Sequence, residues 1–458
     1  MSLPPGPRAP MIVQTASFLR RPFRFMARCR ERYGEMFSVR LGFMGSAPGI
    51  VVGSSELVRE VFTAGGETLS AGQGNEPLRP IMGDHSVGLL DGEPHARQRR
   101  LLMPPLHGER MRAYADTMQE VTLRHAASWP REPFALLPRL LDLTLEIILR
   151  TVFGIDGSEL DEVSDRLKKL LAVLANPMVL MMPSMQLDLP LVPWRRFLRE
   201  RSATNALLYR RIAAARAEHG EKEDILTLLV RAVDEGGEPM ADAELRDELV
   251  TLLLAGHETS ATSLAWVFEQ LLVREELIAE LRQEFDSVVG KGPLRAEHLP
   301  GLELLEATIR EALRLRPAAP GSFRKTIRPM TLGGYKIPDG SVVLASSFLA
   351  HQQADVYPDP ERFDPKRFLG KKPDPYAWIP FGGGSRRCLG MAYAMYEMKV
   401  VCATLLSSMR IEPAQPLPAV VTCRAVFHSP ARGLRITARP RSSVAARGVA
   451  GTVSLVPF

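Results

Sequence analysis

The segment Phe381-Gly-Gly-Gly-Ser-Arg-Arg-Cys-Leu-Gly390 constrains this chain more than any other part of its sequence. Three consecutive glycines permit backbone turns that other residues resist, and they let the chain approach a flat ligand closely. Cys388 precedes a helical pattern that begins near Gly390, so the unpaired N–H groups and the dipole of that helix favour a thiolate. Arg386 and Arg387 add positive charge beside the sulfur. The segment therefore predicts a functional cysteine in a tight loop.

Two other interpretations of this loop are less specific. A lone cysteine is usually an inert core residue, and a glycine run can cradle a phosphate. No Gly-Lys-Ser/Thr follows these glycines, which excludes a P-loop. The four cysteines of the chain include no CxxC pair, which argues against a disulfide framework and a structural zinc site and fits a reducing cytosol.

The charge of the chain does not indicate a nucleic-acid-binding protein. The formal net charge is +6, but the Lys and Arg residues are spread along the sequence and form no dense run with interleaved aromatic residues. The N-terminus offers no apolar run before its prolines, and the longest apolar stretches fall short of the ~20 residues that span a bilayer. We therefore expect a cytoplasmic protein without signal peptide, membrane anchor or bound nucleic acid.

The periodicity of apolar residues predicts a mainly α protein with minor β structure. Apolar residues recur at i, i+3 and i+4 from about residue 94 to 289, with only short breaks. Runs bounded by glycine or proline predict short strands at 36–41, 49–53 and 331–344.

The chain is expected to form one catalytic domain over residues 1–438. Its first eight residues form a proline-rich lead-in that cannot be helical. Residues 439–458 open with Arg-Pro-Arg and carry scattered glycines, which predicts a flexible C-terminal tail.

Ala255-Gly-His-Glu-Thr259 lies within a long helix predicted over 243–272. Ala255 and Thr259 are i, i+4 neighbours that can face one ligand, and Gly256 permits a local distortion of the helix. The pattern alone is equally compatible with an ordinary core helix that carries a polar patch. A zinc motif that starts at His257-Glu258 is excluded, because Ala261 stands where H-E-x-x-H requires its second histidine.

These segments together resemble the cytochrome P450 family. The cysteine loop matches the family pattern Phe-x-x-Gly-x-Arg-x-Cys-x-Gly, and Ala255–Thr259 matches its Ala/Gly-Gly-x-Asp/Glu-Thr motif. Glu311-x-x-Arg314 and Pro360-Glu-Arg-Phe363 follow in the family's order, although Glu311 and Arg314 alone would be an ordinary helix pair worth roughly a few tenths of a kcal/mol. The resemblance covers nearly the whole chain and implies the P450 fold, with haem b buried between the long helix and the cysteine loop.

The resemblance also implies a role for individual residues. Cys388 would ligate the haem iron, and Ala255 would lie beside the haem. The haem propionates would bind to basic side chains, because arginine forks suit carboxylates; these are His95, Arg99, Arg324 and Arg386. Thr259 would hydrogen-bond the dioxygen substrate and Glu258 would help to relay protons. Glu311, Arg314 and Arg362 would form a buried network that braces the cysteine loop.

The reaction implied by the resemblance inserts one atom of O₂ into an unactivated substrate, because a thiolate ligand favours O–O cleavage at haem iron. The chain shows no flavin or nicotinamide fingerprint and no iron–sulfur cysteine set, so electrons must come from separate partners. By resemblance to soluble bacterial members these would be a ferredoxin and its NAD(P)H-dependent reductase. We further expect a monomer.

The segments that line the substrate pocket in this family are apolar and rich in methionine here, which favours a lipophilic substrate such as a fatty acid, terpenoid or steroid-like molecule. The residues in question are Ile81, Met82, Val87, Leu89, Leu90, Met178, Met181, Met182, Ala255, Val426 and Phe427.

Two other functions stay open at this point. One is a P450-fold peroxygenase that uses hydrogen peroxide, and the other is a haem-binding sensor or carrier without turnover. The pair Glu258–Thr259 favours the monooxygenase over the first, because such peroxygenases generally lack an acid–alcohol pair. The same pair and the apolar pocket favour it over the second.

Overall fold

The computed structural model describes residues 3–45, 47–175, 193–218, 224–290 and 292–441. Within these residues helices predominate and strands are short, so the predicted mainly α class with minor β structure is confirmed.

The helices occupy most of the described chain. Those of the N-terminal half are α1 (Met11–Arg20), α2 (Pro22–Tyr33), α3 (Ser55–Thr63), α4 (Ala71–Gly74), α5 (Arg79–Met82), α6 (Gly92–Leu102), α7 (Arg112–Ala127), α8 (Leu136–Thr151) and α9 (Ser158–Leu174). Those that follow are α10 (Pro193–Ala217), α11 (Ile225–Arg231), α12 (Asp242–Leu271), α13 (Glu275–Val288), α14 (Glu303–Leu315), α15 (Ser347–Ala350) and α16 (Met391–Ser408).

The strands form small sheets at the edge of the helical body. They are β1 (Met36–Val39), β2 (Gly49–Val52), β3 (Leu69–Ser70), β4 (Phe134–Ala135), β5 (Gly321–Thr326), β6 (Met330–Leu332), β7 (Tyr335–Ile337), β8 (Val342–Ser346), β9 (Met409–Pro413), β10 (Val421–Arg424), β11 (Phe427–Pro430) and β12 (Arg435–Pro440). The largest sheet has the order β1-β2-β8-β5-β3, with β2 and β8 parallel. A second sheet has the order β4-β12-β9, and β6-β7 and β10-β11 are antiparallel pairs.

Helix α12 passes through the centre of the molecule. Most of its residues from Leu245 to Leu271 are buried, and apolar side chains surround it on nearly all sides, as expected for a helix enclosed by its neighbours. Its first turn is capped by the Glu244 carboxylate, which accepts a 2.8 Å hydrogen bond from the Ala241 N–H. Ala255 is exposed in the middle of this buried helix, which shows that an internal cavity opens there.

The helix that follows the cysteine loop, α16, is also enclosed by the core. Its residues from Val400 to Leu406 are buried, and they pack in the same apolar cluster as Ala261 and Leu264 of α12. The loop is therefore attached at its C-terminal end to an element that cannot shift without disturbing the main core.

Sequence patterns located most elements to within a few residues. The long helix predicted at 243–272 is found at Asp242–Leu271, and the strands predicted at 36–41 and 49–53 are found at Met36–Val39 and Gly49–Val52. Strand β5 was not predicted, because its Gly-Ser-Phe-Arg-Lys-Thr sequence lacks a strong apolar alternation and its pairing with β8 decides its conformation.

The predicted C-terminal boundary needs a correction. Arg439 and Pro440 were assigned to the tail, but they pair with Arg410 and Met409 of β9 as the last residues of β12. An Arg-Pro-Arg sequence resembles a loop locally, and the pairing with β9 overrides that tendency. The remainder of the predicted tail, residues 442–458, lies outside the described residues.

None of the helices in the described ranges combines the length and the apolar character that a bilayer crossing requires.

Candidate functional site

A cavity of about 420 Å³ is bounded by both α12 and the cysteine loop. This volume lies in the range of small-molecule and cofactor sites. On the helix side it is lined by Ala255, Gly256 and Thr259, and on the loop side by Phe381 and Cys388. The two segments that sequence patterns single out most strongly therefore meet at one site, although more than a hundred residues separate them in the chain.

The backbone of the cysteine loop is fixed by its own hydrogen bonds. The Cys388 N–H donates to the Phe381 carbonyl oxygen at 2.9 Å, which closes the loop. Gly384 has a φ of +64°, and a Cβ added there would lie 2.6 Å from the carbonyl oxygen of Phe62. Glycine is needed at position 384 both for its backbone conformation and for this close approach.

The Cys388 side chain lies deep in the protein but is exposed to the cavity. Burial raises the pKa of its thiol, whereas a hydrogen bond from the Gly390 N–H and the charges of Arg99 and Arg387 lower that pKa. The Gly390 N–H and Arg387 act as the sequence predicts, whereas Arg386 is not among the groups that lower this pKa, and burial outweighs the lowering groups. A positive charge on the cavity side, such as a metal cation, would favour a thiolate at this position.

Five basic side chains line the same cavity, namely His95, Arg99, Arg324, Arg386 and Arg387. Asp91 pairs with Arg386, and within the described ranges the other four basic groups form no ion pair. Burial and then the charge of Arg386 lower the pKa of Arg324 to about 10. Burial, Arg386 and Arg99 lower the pKa of His95 to about 4. The cluster has an excess of buried positive charge and fits a ligand with two carboxylates.

Glu258 occupies a different face of α12 from its neighbour Thr259. Thr259 lines the cavity, and its hydroxyl donates a hydrogen bond to the Ala255 carbonyl oxygen. The buried Glu258 carboxylate points away from the cavity and forms a 2.7 Å ion pair, from its Oε1, with Nε of Arg424 at the end of β10. Burial raises the pKa of the Glu258 carboxyl group, and the charge of Arg424 lowers it in part. A proton relay from Glu258 would require the carboxylate to leave this partner.

The predicted substrate-pocket residues are only partly in the cavity wall. Met82, Val87 and Ala255 line it. Residues that do not line it are the buried Ile81 and Leu89, the half-buried Leu90, and Val426 and Phe427 at the turn of the β10-β11 pair. Met178, Met181 and Met182 lie outside the described residues.

Sequence reasoning missed several wall residues. Glu248 lines the cavity, is fully buried and accepts a 2.7 Å hydrogen bond from the Val87 N–H. It stands seven residues before Ala255, so helical spacing could have placed both on one face. The apolar wall contributed by neighbouring helices carries no local signal; it includes Leu102, Leu106, Ile148, Val152 and Leu313.

The sequence matches the cytochrome P450 family model over residues 4–431. The chain belongs to the cytochrome P450 family. It is 36% identical over 457 residues to cytochrome P450 135B1 of Mycobacterium tuberculosis, an alignment that covers 97% of this chain and 93% of that protein. It is 37% identical over 446 residues to cytochrome P450 138 of the same organism, with 96% and 97% covered. These names give a family and no substrate.

The fold is also similar to that of a solved P450. The structure of retinoic acid bound cyanobacterial CYP120A1 matches with a TM-score of 0.84 and 25% sequence identity, covering 96% of this chain and 100% of that one.

Membership of the P450 family makes this chain a haem-thiolate monooxygenase. The family binds haem b through a cysteine thiolate, and it uses O₂, a lipophilic substrate and redox partners. The predicted P450 fold, enzyme class and cofactor are therefore confirmed. The cavity fits the cofactor, because its excess of arginine charge matches the two propionates and an iron cation would favour the ionised form of a thiol that lines the cavity.

The Glu–Arg network of this P450 differs from the predicted one in its third member. Glu311 and Arg314 are fully buried and joined by two hydrogen bonds of 2.7 and 2.8 Å. Arg362 is exposed, and only its carbonyl oxygen takes part, by accepting a 3.1 Å bond from Arg314. The second cation at the Glu311 carboxylate is Arg367, whose Nε lies 3.5 Å from Oε1. The Pro-x-Arg-Phe pattern occurs twice, at 360–363 and 365–368, so sequence offered both candidates.

His351 connects this network to the cysteine loop. Its Nδ1 donates to the Arg314 carbonyl oxygen at 3.0 Å, and its Nε2 accepts a 2.9 Å bond from the Ile379 N–H. The Ile379 carbonyl in turn accepts from Gly382 at 3.1 Å, within the glycine run. The ring must be neutral to make both bonds, and burial lowers its pKa to about 3.

The two arginines can be told apart by stability. Arg367→Ala should lower the free energy of unfolding by roughly 1–3 kcal/mol, because a buried carboxylate loses a cation. Arg362→Ala, the matched control, should change it by less than about 0.5 kcal/mol, because its backbone carbonyl is retained. Urea unfolding of both variants measures the difference, and equal losses would show that Arg367 is not the third member.

His351 should make the fold sensitive to acid. Its folded pKa lies below the ordinary value of 6.5, so the unfolded chain binds the proton first as the pH falls. The free energy of unfolding should therefore decrease below about pH 6.5, with a contribution from this residue of up to about 1.4 kcal/mol per pH unit. His351→Gln should be less stable at pH 7 but show a shallower decline between pH 6 and 4. Identical declines would contradict the assignment.

Proposed function

We propose that this P450 inserts one oxygen atom from O₂ into a lipophilic substrate, with Cys388 as the ligand of the haem iron. The observation that carries the proposal is that the Cys388 sulfur, the Thr259 hydroxyl and the basic cluster line one cavity. The overall reaction consumes a C–H bond, O₂, two electrons and two protons, and it yields a C–OH group and water.

The chain's own residues divide the work around the cofactor. When bound, haem with a thiolate ligand supplies the chemistry of O–O cleavage. His95, Arg99, Arg324 and Arg386 hold the propionates at one end of the cavity, and Ala255 leaves room at the helix for the flat ring. The charges of the three arginines and a hydrogen bond from the neutral His95 ring would replace the water that the propionates lose.

Thr259 and Glu258 deliver protons on the helix side. The Thr259 hydroxyl faces the cavity, and it can turn from the Ala255 carbonyl oxygen toward an O₂ molecule that enters there. Glu258 is next to it in the chain, and burial raises the pKa of its carboxyl group. Arg424 holds this carboxylate away from the cavity, so Glu258 must exchange that partner to reach Thr259.

A fatty acid, terpenoid or steroid-like molecule suits the remaining cavity wall. Beyond the basic cluster the wall is predominantly apolar, and its members include Met82, Val87, Leu102, Leu106, Ile148, Val152 and Leu252. The cyanobacterial structural neighbour binds retinoic acid, which is itself a lipophilic molecule.

The electrons are proposed to come from a ferredoxin and its NAD(P)H-dependent reductase, because the sequence carries no flavin, nicotinamide or iron–sulfur motif of its own. We propose further that the enzyme acts as a cytoplasmic monomer, and that residues 1–438 and the two sheet residues that follow form its catalytic domain.

Replacement of Cys388 tests the ligand. Cys388→Ser should abolish the thiolate-type Soret band of the reduced, CO-bound protein, because a serine hydroxyl does not supply a sulfur ligand. Cys423→Ser, which removes a sulfur at β10 outside the cavity wall, should leave the band unchanged. A thiolate-type band that survives in the Cys388 variant would assign the iron to another residue.

Replacement of Thr259 tests the oxygen-handling role. Thr259→Ala should divert electrons from product to hydrogen peroxide, because the two electrons and two protons then leave with O₂. Thr259→Ser keeps a hydroxyl and should keep most of the coupling. Product and peroxide formed per NADH, measured with surrogate redox partners, give the ratio. Unchanged coupling in the alanine variant would refute the role of Thr259.

A further inference from the structure

The cavity between α12 and the cysteine loop, in which we propose that haem binds, is called the haem cavity below. A second cavity of about 410 Å³ lies next to it and shares a wall with it. The shared wall is the single-turn helix α5: Met82 lines the haem cavity, while Arg79 and Pro80 line the second cavity. The second cavity is further lined by Gly83 and Asp84, which follow α5, and by Arg201 of α10 and Arg246 of α12. It is lined largely by polar and charged side chains, unlike the wall of the haem cavity.

The charges around the second cavity are unequally paired. Arg79 is neutralised by Glu76 at 2.8 Å and by Asp84 at 2.9 Å, and Arg246 pairs with Asp247 at 2.7 Å. Arg201 has no such carboxylate within the part of the chain that the structure describes.

Arg201 is held in place by weaker contacts. Its Nη1 donates to the Pro80 carbonyl oxygen at 2.6 Å, and its guanidinium lies 5.6 Å from the centre of the Phe197 ring. Glu200, its neighbour in the chain, binds Arg199 instead. Burial and the nearby charge of Arg246 both lower the pKa of Arg201, so the two guanidinium groups repel each other across the cavity.

The donors that face this cavity suit a planar anion. Asn205 stands four residues after Arg201 on the same face of α10, and it also lines the cavity. Nε of Arg246 is buried and has no hydrogen-bond partner. Two guanidinium groups and an amide can together bind the oxygens of one carboxylate, and its negative charge would relieve the repulsion between the arginines.

The position of this cavity fixes how far such an anion lies from the reaction site. Arg246 is nine residues before Ala255 on α12, which corresponds to roughly 13 Å along the helix axis. Between them Glu248, Thr251 and Leu252 line the haem cavity. A molecule with its anionic group at Arg246 therefore needs a body of about that length to reach Ala255. Beside α5 the wall of the haem cavity is formed by the apolar Met82 and Val87, which suits a hydrocarbon chain.

We infer that Arg201, together with Arg246 and Asn205, binds the carboxylate of a long-chain lipophilic acid whose hydrocarbon chain extends past α5 into the haem cavity. The inference rests on the proposed function and narrows its substrate class from lipophilic molecules to acids. It also implies that the oxygen atom enters toward the end of the chain that is remote from the carboxylate.

The test compares an acid with its ester on the haem-loaded enzyme. Palmitate and methyl palmitate have the same chain, but only palmitate is charged. The wild-type enzyme should bind palmitate at least about tenfold more tightly than methyl palmitate. Arg201→Gln should lower the affinity for palmitate by about tenfold, because a charge-assisted hydrogen bond is lost, and should leave the affinity for methyl palmitate unchanged. Arg201→Lys, which keeps the charge but not the fork, should be intermediate. Haem spectral titration and equilibrium dialysis with radiolabelled ligand give the dissociation constants.

A neighbouring arginine serves as the control. Arg199 lies on the same helix, is largely exposed and pairs with Glu200, so Arg199→Gln should leave both affinities unchanged. Thermal unfolding of each variant checks that the fold is intact. With surrogate redox partners, wild-type enzyme should hydroxylate palmitate near its methyl end, and Arg201→Gln should spread the products along the chain.

Three results would overturn the inference. They are equal affinity of the wild-type enzyme for acid and ester, an unchanged palmitate affinity in Arg201→Gln, and Arg201-dependent binding of inorganic phosphate without any preference for palmitate. Dialysis reports binding independently of the haem spectrum. Arg201-dependent palmitate binding to a protein without thiolate-ligated haem would support this site and refute the proposed function, and the reverse pattern would refute this site alone.

Discussion

Burial of the Cys388 sulfur opposes its ionisation, and several groups around the haem cavity act in the opposite direction. The Gly390 N–H and the charges of Arg99 and Arg387 lower the pKa of the thiol, yet burial still dominates. A cation in front of the sulfur would favour its anionic form. The same cavity carries buried arginine charge that calls for an anion. A haem, with a cationic metal and two carboxylates, satisfies both demands at once.

The position of the sulfur depends on elements on both sides of the loop. On one side α16 fixes the chain in the main core, and on the other the ion pair of Glu311 with Arg314 acts through His351 on Ile379. Both members of that ion pair are fully buried, so loss of either would leave an uncompensated charge. The position of the cysteine loop thus depends on a buried ion pair on α14, although α14 is distant from the loop in the sequence.

Local sequence predicted the parts of this site that depend on local chemistry. Local spacing along the chain is visible in the sequence itself. It identified the glycines at 382–384, the cysteine before α16 and the i, i+4 pair of Ala255 and Thr259. Partners chosen by tertiary packing show no such spacing. Arg367 rather than Arg362 faces Glu311, and Arg424 from a hairpin holds Glu258, because the fold brings them there. The apolar wall from α8 and the second cavity were missed for the same reason.

A crystal structure of the haem-loaded protein would show directly whether the Cys388 sulfur is bonded to the haem iron. We expect continuous density from Sγ of Cys388 to the iron, with the propionates at Arg99, Arg324 and Arg386. Iron ligated by a different side chain, or a haem that lies outside the cavity between α12 and the cysteine loop, would contradict this expectation.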